Sequence, residues 1–234
     1  MFDDLDPAEL LRHDAGWHEA VARLEALRDQ HGEQARARLH EAQQRYVNRR
    51  PAMIVDAVMS VQQDYEQVVL PLVARFDRTP AARSLGALAA LESIDQAMFN
   101  NSPKRTKTIT GVAEGLLRYG RERGLADEEA ARQWARVTDG LEFAHEADPY
   151  VGSVSGIGAA LMGYLRLLSG ADSIKIDGRV TSRLRGLGFD LGEKPQPEPH
   201  RALMSAVLAA QQIGTSLGEL DQLLWWPAPR VIDG

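Results

Sequence analysis

An all-α fold of about ten helices follows from three observations on this chain of 234 residues. Apolar residues recur at i, i+3 and i+4 along most of it, no stretch alternates apolar and polar residues long enough to make a strand, and the segment from Trp17 to Val47 is rich in the strong helix formers Ala, Arg, Glu and Gln. In that first segment Val21, Leu24, Leu27, Leu39 and Val47 follow helical spacing, predicting one long amphipathic helix, or two broken at Gly32. Pro51 suits a first helical turn, and Met53, Ile54, Ala57, Val58 and Val61 then trace a buried stripe. Tyr65 to Phe76 presents Val68, Val69, Leu72, Val73 and Phe76, and Leu85 to Met98 reads as short helical pieces. Asn100-Asn101-Ser102-Pro103 is a loop. Helices over Thr108–Arg123, Asp127–Leu141, Gly158–Leu168, Arg179–Leu187, His200–Ile213 and Leu217–Trp226 complete the reading, with the Pro-rich Lys194 to His200 as a connection. Residues 1–50 read as an acidic helical extension packed on an all-α core over 51–234.

Composition removes several chemistries. With no cysteine, the chain has no disulfide framework, no thiolate zinc or iron–sulfur site and no cysteine nucleophile. The six histidines form no H-x-x-x-H or H-x-H pair, so no metal site is expected. No run approaches the ~20 apolar residues that cross a bilayer, Ile54 to Val61 being interrupted by Asp56. The acidic start lacks the basic and apolar regions of an export signal, and a cytoplasmic protein is expected. The formal charge of −6 is concentrated: residues 1–33 carry nine acids against three arginines, and the remainder is balanced. That acidic N-terminal segment is a candidate surface for a protein partner.

Two segments carry chemistry. In Val154-Ser155-Gly156-Ile157-Gly158 the two glycines permit a tight turn, and the helix that follows offers unpaired N–H groups and a positive dipole end able to hold a phosphate. A tight helix–helix turn with Ile157 in the core is the purely structural alternative. Nineteen positions after Gly158, Asp177 stands in Ile176-Asp177-Gly178-Arg179-Val180 at the mouth of the next helix, where it is also a favoured N-cap. Upstream, Val58-Met59-Ser60-Val61-Gln62-Gln63-Asp64 is a third distinctive stretch.

Together these segments resemble, in order, the backbone-gripping hairpin (L-P-G-V-G), the aspartate segment (V-D-T-H-V) and the L-S-x-Q-x-x-D stretch of the helix-hairpin-helix DNA glycosylase superfamily. The matched region spans roughly half the chain. The resemblance implies a fold of two helical lobes, double-stranded DNA as partner, no cofactor, Asp177 as the catalytic carboxylate and Gln62 as the side chain filling the gap left by a flipped base. It implies Gly156, Ile157 and Gly158 as the backbone clamp. Ala160 stands where lyase-active members carry a lysine, so the expected activity is that of a monofunctional glycosylase. Ser155 replaces the hairpin proline, and Gly178-Arg179 replaces Thr-His.

Two basic stretches offer a footprint for phosphates. Asn101 to Leu125 nets +4, with Lys104, Arg105 and Lys107 as a cluster in the loop after Pro103, and Arg166 to Arg185 nets +3, including Lys175 and Arg179. Tyr65, one helical turn from Gln62, is the candidate base-stacking residue. Two alternatives stay open: a DNA-binding protein with a silent pocket, and a helical protein-interaction module.

Overall fold

A computed structural model of the chain describes residues 16–91, 99, 102–141, 144–192 and 199–225. Among the described residues there are ten α-helices and no strand, so the all-α expectation holds. Chain contacts divide the protein into two compact units, one made of residues 42–171 and the other of 1–41 together with 172–234. The Asp3, Asp4, Asp6, Glu9 and Asp14 acids of the N-terminal segment lie outside the described residues.

Helix α1 (Trp17–Arg45) runs unbroken through Gly32. In the unit that holds its first part, Trp17, Ala20, Val21 and Leu24 are buried. Three C-terminal helices share that unit: α8 (Gly178–Leu187), α9 (Pro199–Ile213) and α10 (Leu217–Trp225). The Trp17 ring meets Phe189 edge-on at 5.2 Å, and its indole N–H donates to Gln212 at 2.9 Å. Arg36 pairs with Glu219, and Leu39 packs so closely on Gly218 that a Cβ there would lie 2.9 Å from it. Several described acids of α1 pair with its own arginines, Glu19 with Arg23 and both Glu25 and Asp29 with Arg28.

The unit of residues 42–171 is built around α2 (Arg50–Met59), all of whose residues are buried. Pro51 sits in its first turn, where a missing N–H does no harm. The Tyr65–Phe76 helix of the sequence reading is two pieces, a wide turn over Tyr65–Val69 and α3 (Leu70–Phe76), because Pro71 forces a restart at Leu70. Val61, expected on the α2 stripe, lies beyond the end of that helix and is 41% exposed. After α4 (Leu85–Ala89), residues 92–98, within the stretch read as further helix, lie outside the described residues, as do Asn100 and Asn101.

Helix α5 (Pro103–Arg123) starts five residues earlier than the periodicity predicts. Ser102 caps it by accepting from the Arg105 N–H, and Pro103 occupies its first turn, so Lys104, Arg105 and Lys107 are helical, not in a loop. Helix α6 (Asp127–Val137) stops short of the expected Leu141. Helix α7 (Ala159–Leu168) completes the unit.

Arg50 ties three of these helices together. Its side chain is 1% exposed, and it donates from Nε and Nη2 to the two oxygens of Glu128 on α6 (2.8 and 2.6 Å) and from Nη1 to the carbonyl of Leu168 at the end of α7 (3.0 Å). A bidentate guanidinium–carboxylate pair meets the desolvation of both groups with directed hydrogen bonds. Burial pushes the Glu128 carboxyl up, but Arg50 and the Asn48 N–H outweigh it and hold it below the usual range.

Close packing against α5 decides two of its glycines. A Cβ on Gly115 of α5 would lie 1.8 Å from the carbonyl oxygen of Tyr150, and one on Gly111 would lie 2.8 Å from Val154. Backbone cannot yield as a flexible side chain can, so Gly115→Ala is expected to lower stability by about 3 kcal/mol. Gly32→Ala on α1, with Arg28 Cγ at 3.5 Å as its nearest neighbour, should instead gain about 0.5–1 kcal/mol. Urea unfolding midpoints of the two variants check the contrast.

Candidate functional site

The residues that the sequence singles out are divided between the two units, and each group is described in its own unit. In the unit of residues 42–171 the hairpin lies between α6 and α7. Asp148, 2% exposed, organises the approach: Oδ2 accepts from the indole N–H of Trp134 (2.9 Å) and the N–H groups of Val151 (3.0 Å) and Gly152 (2.8 Å), and Oδ1 accepts from the Tyr150 N–H (3.2 Å). Gly156 has φ +95°, a conformation that requires glycine, and Ile157 is buried as the structural alternative has it. The Thr108 hydroxyl on α5 shares its proton between the carbonyls of Ser155 (2.8 Å) and Lys104 (3.0 Å), seating the turn on the first part of α5.

Gly158 is the N-cap of α7 in extended conformation, without a side-chain cap and with open space where a Cβ would stand. The first turn of α7 therefore keeps amide donors that no side chain accepts, the arrangement that suits an anion. A depression of about 370 Å³ lined by His145, Glu146 and residues 152–157 runs beside the turn. Lys104 and Lys107, exposed and three residues apart, share a face of α5 in the turns that include Thr108.

Gln62 is at an exposed tip with φ +56°, an unusual conformation for a residue with a side chain. The tip is tied down by Arg105, whose Nη2 donates to the Val61 carbonyl at 2.8 Å. Arg105 is thus a brace for the Gln62 loop, a role that the count of basic residues did not suggest. Tyr65 follows, and its hydroxyl donates to Asp56 (2.8 Å) while accepting from Arg45 (2.9 Å). Asp56 is fully buried and takes two further phenol donors, Tyr46 at 2.5 Å and Tyr164 at 3.1 Å. Burial first, and then the Asp56 charge, push all three phenols well above the ordinary tyrosine range.

In the other unit Asp177 caps α8. Its Oδ1 accepts from the N–H groups of Arg179 (2.9 Å) and Val180 (3.0 Å), while Oδ2 stands 3.6 Å from Lys175 Nζ. The Asp177 side chain is one-quarter exposed, whereas Lys175 is buried. Arg179 lies over the Trp225 ring at 4.2 Å, with Lys175 Nζ 6.0 Å from the same ring. The structure thus brings Lys175, Asp177 and Arg179 together around Trp225.

Sequence reasoning missed Asp221 on α10. It is fully buried and accepts the Lys175 N–H at 2.9 Å and the Gln222 side-chain N–H at 3.1 Å. The signal was present: Asp221 stands four residues after Leu217 and three before Leu224, on what would otherwise be an apolar stripe. The basic footprint also needs correction, because Arg166 is 1% exposed, donates to the Ala135 carbonyl (2.9 Å) and pairs with Asp139. Among the described residues no group of His, Asp and Glu side chains is arranged to hold a metal ion, and no helix is long and apolar enough to cross a membrane.

No protein-family model, curated protein or solved structure matches the chain.

Burial pushes the Asp221 carboxyl up from an ordinary 3.8 to about 7, with the nearby Asp177 charge adding to it and Lys175 opposing it. Between those two values the folded protein holds a proton at Asp221 that the unfolded chain has lost, so this group's contribution to stability falls as pH rises through the interval. Asp221→Asn keeps the hydrogen-bond acceptor and removes the titration. Urea midpoints of variant and wild type, compared between about pH 4 and about pH 7, should shift progressively in favour of the variant as pH increases.

Proposed function

We propose that the chain binds double-stranded DNA and acts as a monofunctional DNA N-glycosylase on a damaged or mismatched base. The observation that carries this reading is the ordered pair of an uncapped helix start at Gly158, set by the Gly156-Ile157-Gly158 turn, and a carboxylate at Asp177 that keeps Oδ2 outside its own helix cap. A DNA phosphate would be held by the first-turn amides of α7, with Lys104 and Lys107 adding charge. Gln62, on its braced and exposed loop, would occupy the space of the flipped nucleotide.

Cleavage of the N-glycosidic bond sends the bonding pair to the departing base, which takes up a proton, and leaves positive charge on the sugar. Asp177 Oδ2 would stabilise that charge and accept the proton of the water whose oxygen bonds to C1′. Ala160, at the position of the lyase lysine in the family that the chain resembles, supplies no amine for a Schiff base, so the reaction ends at an abasic site.

A second reading, DNA binding without base release, is favoured by the Lys175 ammonium 3.6 Å from Oδ2, which competes for the same carboxylate. The two readings separate on labelled duplexes carrying uracil, hypoxanthine, alkylated purines, 8-oxoguanine or mismatches, scored as strand breaks after hot alkali. Wild type should release one of these bases, and Asp177→Asn should be slower by about 100-fold or more with duplex affinity unchanged. Binding without release on every duplex would favour the second reading.

Affinity itself should fall steeply with salt. Replacing Lys104 and Lys107 together by alanine should reduce the slope of log Kd against log salt by about 2. A duplex affinity indifferent to salt would overturn both readings.

A further inference from the structure

The segment that carries Asp177 is fastened along α10 at two points one helical turn apart. The Gly218 N–H donates to Asp172 Oδ1 at 2.9 Å, and the Lys175 N–H donates to Asp221 Oδ1 at 2.9 Å. Between them Ser173 and Ile174 are buried, and the Asp177 N–H closes the turn onto the Lys175 carbonyl at 2.8 Å. The orientation of Asp177 is thus handed down from α10 through Lys175.

Charge runs along the same path. Lys175 is a buried cation with its ammonium 3.6 Å from Asp177 Oδ2 and its backbone N–H on Asp221, whose carboxyl its charge pulls down. Were Asp177 its sole partner, the ammonium would neutralise the negative charge needed by a developing sugar cation. With Asp221 ionised the three groups carry a net −1, so the ammonium beside Asp177 no longer cancels the local negative charge. Of the other charged groups here, Arg36 pairs with Glu219, Asp172 accepts the Gly218 N–H, and Arg179 adds a constant positive charge over the Trp225 ring; α9 carries no charged residue between Met204 and Ile213.

We propose that Asp221 is a positioning residue for Asp177: from α10 it fixes the 172–177 segment through the Lys175 N–H and supplies the counter-charge to Lys175 that leaves Asp177 Oδ2 available to the substrate. This rests on the reading of Asp177 as the catalytic carboxylate. The raised proton affinity of Asp221 described above means that the counter-charge is complete only on the alkaline side of neutrality.

The test uses the full chain in two measurements. In the first, carboxyl carbon NMR of the free protein follows Asp177 and Asp221 against pH. The Asp177 resonance should register the Asp221 transition in wild type and lose it in Asp221→Asn. In the second, single-turnover base release is measured for wild type, Asp221→Asn, Lys175→Met and the double variant.

Wild-type release should rise with pH through the Asp221 transition. Asp221→Asn, which keeps the acceptor for the Lys175 N–H, should be slower by about tenfold with unchanged duplex affinity and without that rise. Lys175→Met in the Asp221→Asn background restores the net −1 and should recover the rate, a rescue that a purely structural role does not give. An Asp177 resonance blind to the Asp221 transition, or a double variant slower than Asp221→Asn, would overturn the proposal. Coupling in the NMR titration without base release by wild type would instead sink the glycosylase reading and leave the Asp221–Asp177 linkage standing.

Discussion

Asp148 lies buried and collects the indole N–H of Trp134 together with three backbone N–H groups of the loop that leads to the hairpin. The whole stretch between α6 and α7 depends on it. Irregular backbone can be buried only if its donors find acceptors, and a single carboxylate with two oxygens serves four of them here. With the loop so pinned, Tyr150 can lie against Gly115 and Val154 against Gly111, and the turn at Gly156 is presented in one conformation. Under the proposed reading, a phosphate meeting this turn would find amides already aligned, and little ordering entropy would be lost on contact.

The parts of the site that were legible from sequence are those whose chemistry is local. The Gly-Ile-Gly turn and the aspartate cap each need only neighbouring residues, and both stand where residue type and spacing put them. Helix existence was legible for the same reason, while the start of α5 was not, because Ser102 and Pro103 were read as loop residues when they were cap and first turn. Asp148, Asp221 and Asp56 were opaque. Asp56 and Asp221 take partners from other elements of their own units, where periodicity records only that a polar residue interrupts an apolar stripe, and Asp148 sits in a loop whose turn no periodicity marks.

Net charge by segment misled for a related reason. Arg166, Arg105 and Lys175 counted equally with Lys104 in the tally, yet Arg166 is buried on backbone and carboxylate acceptors, Arg105 braces the Gln62 loop, and Lys175 is buried beside Asp177. Long basic side chains reach acceptors several residues away, so their position on a helix does not fix where the charge ends up. The exposed basic charge is smaller than the sum, with Lys104 and Lys107 at the start of α5 among it.

One unit is assembled from both flanks of the sequence, with α1 burying Trp17, Val21 and Leu24 in the company of α8, α9 and α10. During synthesis the stripe on α1 leaves the ribosome long before those helices exist, whereas residues 42–171 are contiguous and can close on themselves as soon as they emerge. The order of manufacture therefore leaves α1 as an unpaired amphipathic segment until residues 172–225 have been made, and it is there that a nascent-chain chaperone would find its apolar handhold.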